Sequence, residues 1–187
     1  MNKLTSICLT VSIFLLSGLN NTYAENSELD FSKFVDDKGV ISLPKDFRKT
    51  MAHLGSWFVP TGEASGFHDV YTRQDDVNAY RKEGKFQDGA IIIKELRASS
   101  SADYSTGANV SFSNATIKQW FVMIKDSNNR FPNNKNWGNG WGWALFKTED
   151  SNINVSMDYK NDCLGCHFPA KNNDWVYTEG YPTLTKP

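Results

Sequence analysis

Two thiols and an imidazole stand together near the end of the chain, in the sequence Cys163-Leu164-Gly165-Cys166-His167. Cys-x-x-Cys-His is the spacing of covalent haem c attachment, because two thiols one turn apart can add to the two vinyl groups of haem. The imidazole that follows then lies beneath the iron. The motif therefore predicts one covalently attached haem c per chain, bound through Cys163 and Cys166, with His167 as the proximal iron ligand.

Three other kinds of site could use the same residues. A structural zinc site needs a fourth ligand, and outside the motif only His53 and His68 offer an imidazole. A thioredoxin-like redox pair opens a helix after a strand of a βαβ unit, and the surrounding sequence does not have that pattern. A disulfide between Cys163 and Cys166 would close a very short loop and would stabilise the fold little. The motif therefore favours haem attachment.

The position of the motif bears on the type of haem protein, because only 20 residues follow His167. In small electron-transfer cytochromes c the motif lies near the amino terminus and is followed by helices and a distal Met. A late motif also occurs in the four-helix cytochromes c′, but these need four long amphipathic helices. The strand patterns described next leave no room for four such helices.

Two short helices are predicted ahead of the motif. The first covers residues 43–54, with Pro44 in its first turn and apolar residues at helical spacing before Gly55 ends it. The second covers residues 75–83, with an aspartate as its cap and Gly84 as its terminator.

Four other segments have a period of two or form short apolar runs, which predicts strands. They are residues 66–72, 89–97, 118–125 and 141–148. Turn-forming Ser, Asn and Gly residues separate them, including the three serines at 99–101. The predicted fold is α+β: a mainly antiparallel sheet with a few short helices that together enclose one haem c.

The start of the chain has the features of a secretory signal peptide. Lys3 precedes an apolar run over residues 4–19, and Ala24 stands at the expected cleavage point. That run is shorter than the roughly 20 residues of a membrane-spanning helix, so no anchor is expected after cleavage. The expected organisation is a signal peptide at 1–24, a loosely ordered arm at 25–42 and a single haem-binding domain at 43–187. The protein is therefore expected in the periplasm or secreted.

The charge and composition of the chain limit the classes of molecule that it is expected to bind. The net charge is −1 and no block of Lys or Arg is present, so neither nucleic acid nor an anionic membrane surface is an expected partner. The chain has 6 Trp, 7 Tyr and 12 Phe, a supply of aromatics suited either to a flat cofactor or to an aromatic core. Small molecules and a redox partner cytochrome are the expected partners, and a homodimer is compatible with the sequence.

Four stretches of the sequence resemble the cytochrome P-460 family, which includes the β-sheet cytochromes c′-beta. They are residues 66–71, 84–96, 137–144 and 162–182. The most specific part of the resemblance is the combination of Lys-Glu-Leu at 94–96 with the late Cys-x-x-Cys-His motif. The resemblance implies a haem c clasped by antiparallel strands and a few helices, with a distal side open to small ligands.

Members of that family oxidise hydroxylamine or bind nitric oxide, so these are the small nitrogen compounds that the resemblance implies as ligands. In the cytochromes P-460 proper a lysine is also joined covalently to the porphyrin edge, and the matching lysine is Lys94. Such a bond needs a neutral amine, whose pKa must be lowered by burial. Ile92, Lys94 and Leu96 share one face of the predicted strand, while Glu95 lies on the other. The alternative is a Lys and a Glu at the solvent-exposed end of that strand.

His68 is the candidate distal acid or base, because it lies on a predicted strand and imidazole titrates near neutral pH. A solvent-facing or core histidine is the alternative. Hydroxylamine-oxidising members are thought to place a carboxylate near the distal iron, which would fall in the strand at 119–124. That strand has no acid, so the resemblance alone does not predict hydroxylamine turnover.

Three functions are therefore compatible with the sequence. The first is an oxidoreductase that binds and oxidises small nitrogen compounds at an open distal site, and the second is a nitric oxide scavenger or sensor without turnover. The third is a plain electron carrier, which needs a sixth protein ligand to the iron. Four residues could serve as that ligand: Met51, Met123, Met157 and His53.

Overall fold

The computed structural model describes residues 31–185, and strands dominate it. The helices are α1 (Phe47–Thr50), α2 (Gln74–Glu83), α3 (Tyr159–Asp162) and α4 (Leu164–His167). The strands are β1 (Ala52–Val59), β2 (Gly66–Thr72), β3 (Ile91–Tyr104), β4 (Gly107–Lys125), β5 (Trp137–Gly138) and β6 (Trp141–Lys147). Three short 3₁₀ helices follow at Phe168–Asn173, Thr178–Gly180 and Pro182–Leu184. Within residues 31–185, no helix is long and apolar enough to cross a membrane.

The six strands form one antiparallel sheet in the order β1-β2-β3-β4-β6-β5. The strands β1 to β4 are consecutive in the chain and adjacent in the sheet, so each pairs with the strand that follows it in the sequence. This architecture confirms the predicted antiparallel α+β fold. The sheet places β3 at its centre, where neighbours on both sides satisfy its backbone groups.

Side chains alternate between the two faces of β3, and each face has its own core. Ile92 belongs to a cluster that includes Leu54, Val70 and Trp143. Ile91 and Ile93 belong to a second cluster on the opposite face. The face that carries Ile92 is called the first face of the sheet, and the face that carries Ile91 and Ile93 is called the second face.

Glu95 is buried on the second face, at 1 % exposure, but its charge is compensated there. Its carboxylate accepts hydrogen bonds from Arg48 and from Arg97 Nε, the latter at 2.6 Å. The Trp120 indole N–H donates to the other oxygen at 2.9 Å. A buried carboxylate with three donors is stable in an apolar core, so the alternative of a solvent-exposed strand end is wrong for Glu95.

The predicted helix at 43–54 is wrong over most of its length. The helix is the single turn α1, and the chain is already extended in β1 from Ala52. Gly55 is inside this strand rather than at the end of a helix. A Cβ there would lie 2.1 Å from the Gly180 carbonyl oxygen, so the glycine serves close backbone packing. The helical spacing of the apolar residues is only a local signal, and the pairing of β1 with β2 overrides it.

The second predicted helix is confirmed as α2, which ends at Gly84 in the left-handed conformation (φ 73°). Its cap differs from the prediction, because Arg73 occupies the N-cap position and no side chain caps the helix. Asp76 is instead buried and pairs with Arg73, with an Nη2 to Oδ1 distance of 2.7 Å.

The predicted strand at 66–72 matches β2, whereas two other strands are longer than predicted. β3 and β4 continue as a two-stranded hairpin to the Tyr104–Gly107 pair, so residues 99–101 lie in a strand rather than in a turn. Ser101 and Ser111 face each other there with their hydroxyl oxygens 3.2 Å apart. Cross-strand pairing therefore overrides the turn preference of serine.

The signal peptide predicted at 1–24 lies outside the described residues, as does the first part of the predicted arm. The rest of that arm, residues 31–42, is packed rather than loose. Val35 and Ile41 form an antiparallel bridge, and Ile41 is 2 % exposed in the second core. The Phe31 ring lies 6.1 Å from the Trp137 ring, which anchors the start of this segment.

Candidate functional site

A cavity of about 590 Å³ opens on the first face of the sheet, and all five residues predicted for the site line it: His68, Lys94, Cys163, Cys166 and His167. The sheet contributes one wall, through the alternate residues Ile92, Lys94 and Leu96 of β3 and their neighbours on β2, β4 and β6. The segment after β6, from Asp162 to Tyr181, contributes the other wall. Residues that are far apart in the sequence are thus brought to one site by the antiparallel pairing.

The cysteine motif follows α3: Cys163 lies between the two short helical turns, and the rest of the motif forms α4. Cys163 is buried, whereas Cys166 is exposed, and both thiols are free. Burial raises the pKa of the Cys163 thiol to about 11. Because no disulfide joins them, both sulfurs are available to a ligand, and a structural disulfide does not describe this pair.

Asp162 fixes the chain just ahead of the first thiol. Its Oδ2 accepts the backbone N–H groups of Met157 at 2.9 Å and Asp158 at 3.1 Å, and the Ser156 hydroxyl at 3.1 Å. The pKa of the Asp162 carboxyl is lowered because these donors favour its ionised form. Asp158 in turn caps α3 by accepting the backbone N–H of Lys160 at 3.0 Å.

His167 is held by its Nδ1, which lies 2.8 Å from the carbonyl oxygen of Trp175. A carbonyl only accepts, so Nδ1 carries the proton and Nε2 keeps its lone pair for a ligand. The edge of the ring packs against Trp143, with ring centroids 4.9 Å apart at 76°. Desolvation lowers the pKa of His167 to about 4, so the neutral, ligating form is the stable one at pH 7.

Lys94 lies at the centre of the sheet wall, opposite Val70 on β2 and Phe121 on β4. Its Nζ lies 4.1 Å from the centre of the Phe121 ring. No carboxylate within residues 31–185 forms an ion pair with it. Burial lowers the pKa of Lys94, which increases the fraction of neutral amine. The alternative, in which Lys94 lies at the solvent-exposed end of its strand, is therefore wrong.

His68 is buried at 4 % exposure in β2, and its ring stacks on Trp57 with centroids 5.0 Å apart at 18°. Its Nε2 lies 2.7 Å from the Ala64 carbonyl oxygen, so Nε2 carries the proton and donates. Nδ1 is a buried acceptor with no hydrogen-bond partner among the described residues. Burial lowers the pKa of His68, which keeps that acceptor unprotonated near neutral pH.

The residues offered as a fourth zinc ligand do not join the motif. His53 is on β1, where its Nε2 lies 2.9 Å from the Ser56 hydroxyl, and His68 has the contacts given above. In the described part of the chain, no three His, Cys, Asp or Glu residues are grouped so that they could hold a metal ion. The geometry therefore does not support a structural zinc site.

The sequence profile of the cytochrome P460 family matches residues 44–178 of the chain. This match spans β1 to β6 and the whole cysteine motif. The chain belongs to the cytochrome P460 family. No curated protein matches the sequence. Family membership confirms the resemblance drawn from the four sequence stretches and implies a haem protein.

The residues of the cavity fit the haem of a cytochrome P460. Two free thiols stand three residues apart, an imidazole follows with an unused Nε2, and the cavity is within the range of cofactor pockets. His68, in the same wall, adds a buried nitrogen that has no hydrogen-bond partner in the described part of the chain. These side chains offer the groups that haem c attachment requires: nucleophilic sulfurs and an axial nitrogen.

Several residues of this cytochrome P460 site were not predicted from the sequence. They are Trp57, Glu63, Lys118, Lys147, Tyr177 and Tyr181. Trp57 follows the predicted helix, in a segment for which no element was predicted, and Glu63 lies on a loop. Lys118 and Lys147 fall in predicted strands, and Tyr177 and Tyr181 fall in the stretch 162–182 that resembles the family, but residue type and spacing did not mark these four as site residues. Trp143 had a signal, since it falls in the stretch 137–144 that resembles the family.

Proposed function

We propose that this cytochrome P460 is an exported protein with one haem c, attached through Cys163 and Cys166 and ligated by His167, which binds and oxidises hydroxylamine. When bound, haem supplies an iron that coordinates a small nitrogen compound and accepts its electrons. The signal peptide predicted at 1–24 supports export, and a redox partner would receive the electrons. The observation that carries the choice of reaction is the Nδ1 of His68, a buried acceptor for which residues 31–185 provide no hydrogen-bond partner.

Hydroxylamine loses protons as it loses electrons, so its oxidation needs a base beside the ligand. His68 can serve as that base, because Ala64 holds the ring through Nε2 and leaves the lone pair of Nδ1 free. The lowered pKa keeps this nitrogen neutral at pH 7. The stack on Trp57 limits rotation of the ring. These contacts support a base that is fixed in place and ready to accept a proton.

Carboxylates are the other bases to consider. The strand at 119–124 has none, as the sequence indicates, and the cavity wall contains only Glu63 and Asp162 within residues 31–185. Asp162 is occupied by three hydrogen-bond donors next to Cys163. Glu63 is exposed on the loop before β2. His68 is therefore the best-supported base.

Nitric oxide binding without turnover is the second candidate function, and the aromatic wall of the cavity favours it. Trp57 and Phe121 line the pocket with large apolar surfaces that suit a slender diatomic molecule. Nitric oxide offers no proton, so the unpartnered nitrogen of His68 would have no role in its binding. The two functions therefore differ in their dependence on His68.

The electron-carrier function receives no support from the candidate sixth ligands. Met157 is 83 % exposed, and Met51 packs against the core on the opposite face of the sheet. His53 is on the exposed surface of β1 with Ser56. Met123 lines the cavity, but it pairs with Trp143, the residue that contacts His167, and so lies on the proximal side.

We also propose that Lys94 forms the covalent bond to the porphyrin edge that is typical of the cytochromes P-460. Three features support it: the position on the cavity wall, the lack of an ion pair among the described residues, and the lowered pKa. A neutral amine is the nucleophile that such a bond requires. Because the bond replaces one N–H and one C–H, its formation also needs a two-electron oxidant such as a peroxide, which takes up the two hydrogens.

The experiment that tests the proposed function combines ligand titration with turnover. The ferric holoprotein should show a high-spin spectrum at neutral pH, bind nitric oxide when reduced, and oxidise hydroxylamine in the presence of an artificial electron acceptor. A low-spin ferric spectrum without added ligand would favour the electron carrier. Nitric oxide binding with no hydroxylamine turnover would favour the scavenger or sensor.

A further inference from the structure

Two lysines lie at the end of the cavity wall that is farther from His167. Lys118 is on β4 and Lys147 is the last residue of β6. Both line the cavity, and neither is fully exposed. Their charges have no role in the proposed attachment or in the proposed proton transfer.

Lys118 is the extra residue of a β-bulge. Leu96 pairs with Gln119 and the next residue, Arg97, pairs with Ile117, so Lys118 has no partner on β3. A bulge redirects the side chain of the extra residue. The Lys118 Nζ donates to the carbonyl oxygens of Glu63 at 3.0 Å and Ser65 at 2.9 Å, which brings it over the rim of the cavity.

Lys147 reaches the same rim from the neighbouring strand. It pairs with Gln119, and its Nζ donates to the Gln119 side-chain oxygen. Trp143, which contacts His167, is four residues earlier on the same face of β6. At about 3.3 Å per residue, Lys147 is roughly 13 Å along the wall from Trp143, a separation comparable with the width of a porphyrin.

The two charges at this end of the cavity wall have no counterion. Lys118 and Lys147 both line the cavity, and neither has a carboxylate within ion-pair distance among residues 31–185. Several other half-buried cations of the fold have a carboxylate partner, as with Lys125 and Asp174 at 2.7 Å. Sheltered charges without counterions are unfavourable, so the rim is suited to an anionic group.

We propose that Lys118 and Lys147 bind the two propionate carboxylates of the haem. This inference rests on the proposed haem c attachment. The vinyl and propionate groups are at opposite edges of the porphyrin, so a haem whose vinyl edge is joined to Cys163 and Cys166 directs its propionates away from them. An ammonium group binds a carboxylate through a charge-assisted hydrogen bond. The two propionates would balance the positive charges of Lys118 and Lys147, and the two ion pairs would fix the orientation of the haem.

The reduction potential of the holoprotein reports on these lysines, because a positive charge beside the haem favours the reduced state. We would measure it at pH 8 for the parent protein, Lys118→Gln, Lys147→Gln and the double variant. Lys82→Gln is the matched control, since its side chain is 82 % exposed on α2. The inference predicts a lower potential in each single variant, a larger fall in the double variant, and no change in the control.

Charge-preserving variants separate propionate binding from a structural role. Lys118→Arg and Lys147→Arg should keep the potential near that of the parent, whereas a purely structural role for Lys118 in the loop at 63–65 would change thermal stability without changing the potential. Potentials in the Gln variants equal to that of the control would overturn the inference. If the parent protein carried no covalent haem, the proposed function itself would fail, and the haem content per chain distinguishes that result.

Discussion

The imidazole of His68 stacks on the indole of Trp57 with their ring centroids 5.0 Å apart and their planes 18° apart. This stack and the hydrogen bond from Nε2 to Ala64 leave only one ring nitrogen, Nδ1, able to accept a proton. The proposed catalysis depends on that nitrogen.

Replacing His68 by Ala should reduce hydroxylamine oxidation by roughly 10²-fold or more, the usual effect of losing a general base. The nitric oxide affinity of the reduced protein should change much less, because diatomic binding needs no proton acceptor. Steady-state turnover and a nitric oxide titration measure the two effects. His53→Ala is the control, since it removes an exposed imidazole from the same sheet. Equal small effects on both quantities would remove His68 as the base.

The pH dependence of stability should also report on His68. Its pKa is lowered from 6.5 in the folded protein, so the unfolded chain binds the proton more readily than the folded one as the pH falls below about 6.5. The free energy of unfolding contributed by neutral His68 is therefore full above that pH and is lost progressively below it. Denaturant unfolding at pH 7 and pH 5 should show a larger loss for the parent than for His68→Gln. An identical loss in both proteins would contradict the lowered pKa.

Replacing Lys94 by Ala should convert an atypical, red-shifted haem spectrum into that of an ordinary haem c. A bond at the porphyrin edge disturbs the conjugated ring, and the variant cannot form it. Absorption spectra of the two holoproteins measure this, and the denatured parent should have a mass two hydrogens below that of unmodified chain plus haem. Lys85→Ala controls for the loss of an exposed lysine. A spectrum unchanged by Lys94→Ala would reject the cross-link.

Gly55→Ala should destabilise the fold, because the new Cβ would lie 2.1 Å from the Gly180 carbonyl oxygen and backbone would have to move. The cost should be about 1–3 kcal/mol, the scale of overpacking a close contact. Gly165→Ala is the matched control, since nothing lies within 4 Å of a Cβ at that position. Denaturant unfolding of both variants measures the difference. Equal stability of the two would contradict the close packing of β1 on the segment at Thr178–Gly180.

The fold class and the haem-attachment motif could be predicted from the sequence, because both depend on patterns among residues that are close together in the chain. The alternation in β2 and the apolar runs of β3, β4 and β6 reflect a sheet with two buried faces. Gly84 marked the end of α2 because its left-handed backbone favours glycine. The cysteine motif needs no tertiary information, since its chemistry depends on spacing alone.

The rest of the site depended on contacts between distant segments. The helix at 43–54 was predicted because Phe47, Met51 and Leu54 have helical spacing. The chain is extended from Ala52 because β1 pairs with β2 and packs closely on Gly180, and these contacts between distant segments cannot be inferred from local spacing. Lys118 reaches the cavity because it is the extra residue of a β-bulge, and the residue types in this strand do not predict a bulge there. Likewise, the sequence does not show that His68 Nδ1 lacks a hydrogen-bond partner among residues 31–185, because this depends on the contacts of the ring with Ala64 and Trp57.

The mass of the denatured protein, produced with a cytochrome c maturation system, tests the central claim most directly. The comparison is best made in the Lys94→Ala background, so that any covalent haem must be held by the thiols. That variant should carry one haem per chain after denaturation, because both sulfurs remain. Adding Cys163→Ala and Cys166→Ala should leave a chain with no covalent haem. Haem retained by the protein that lacks both cysteines, or none attached when both are present, would contradict the account.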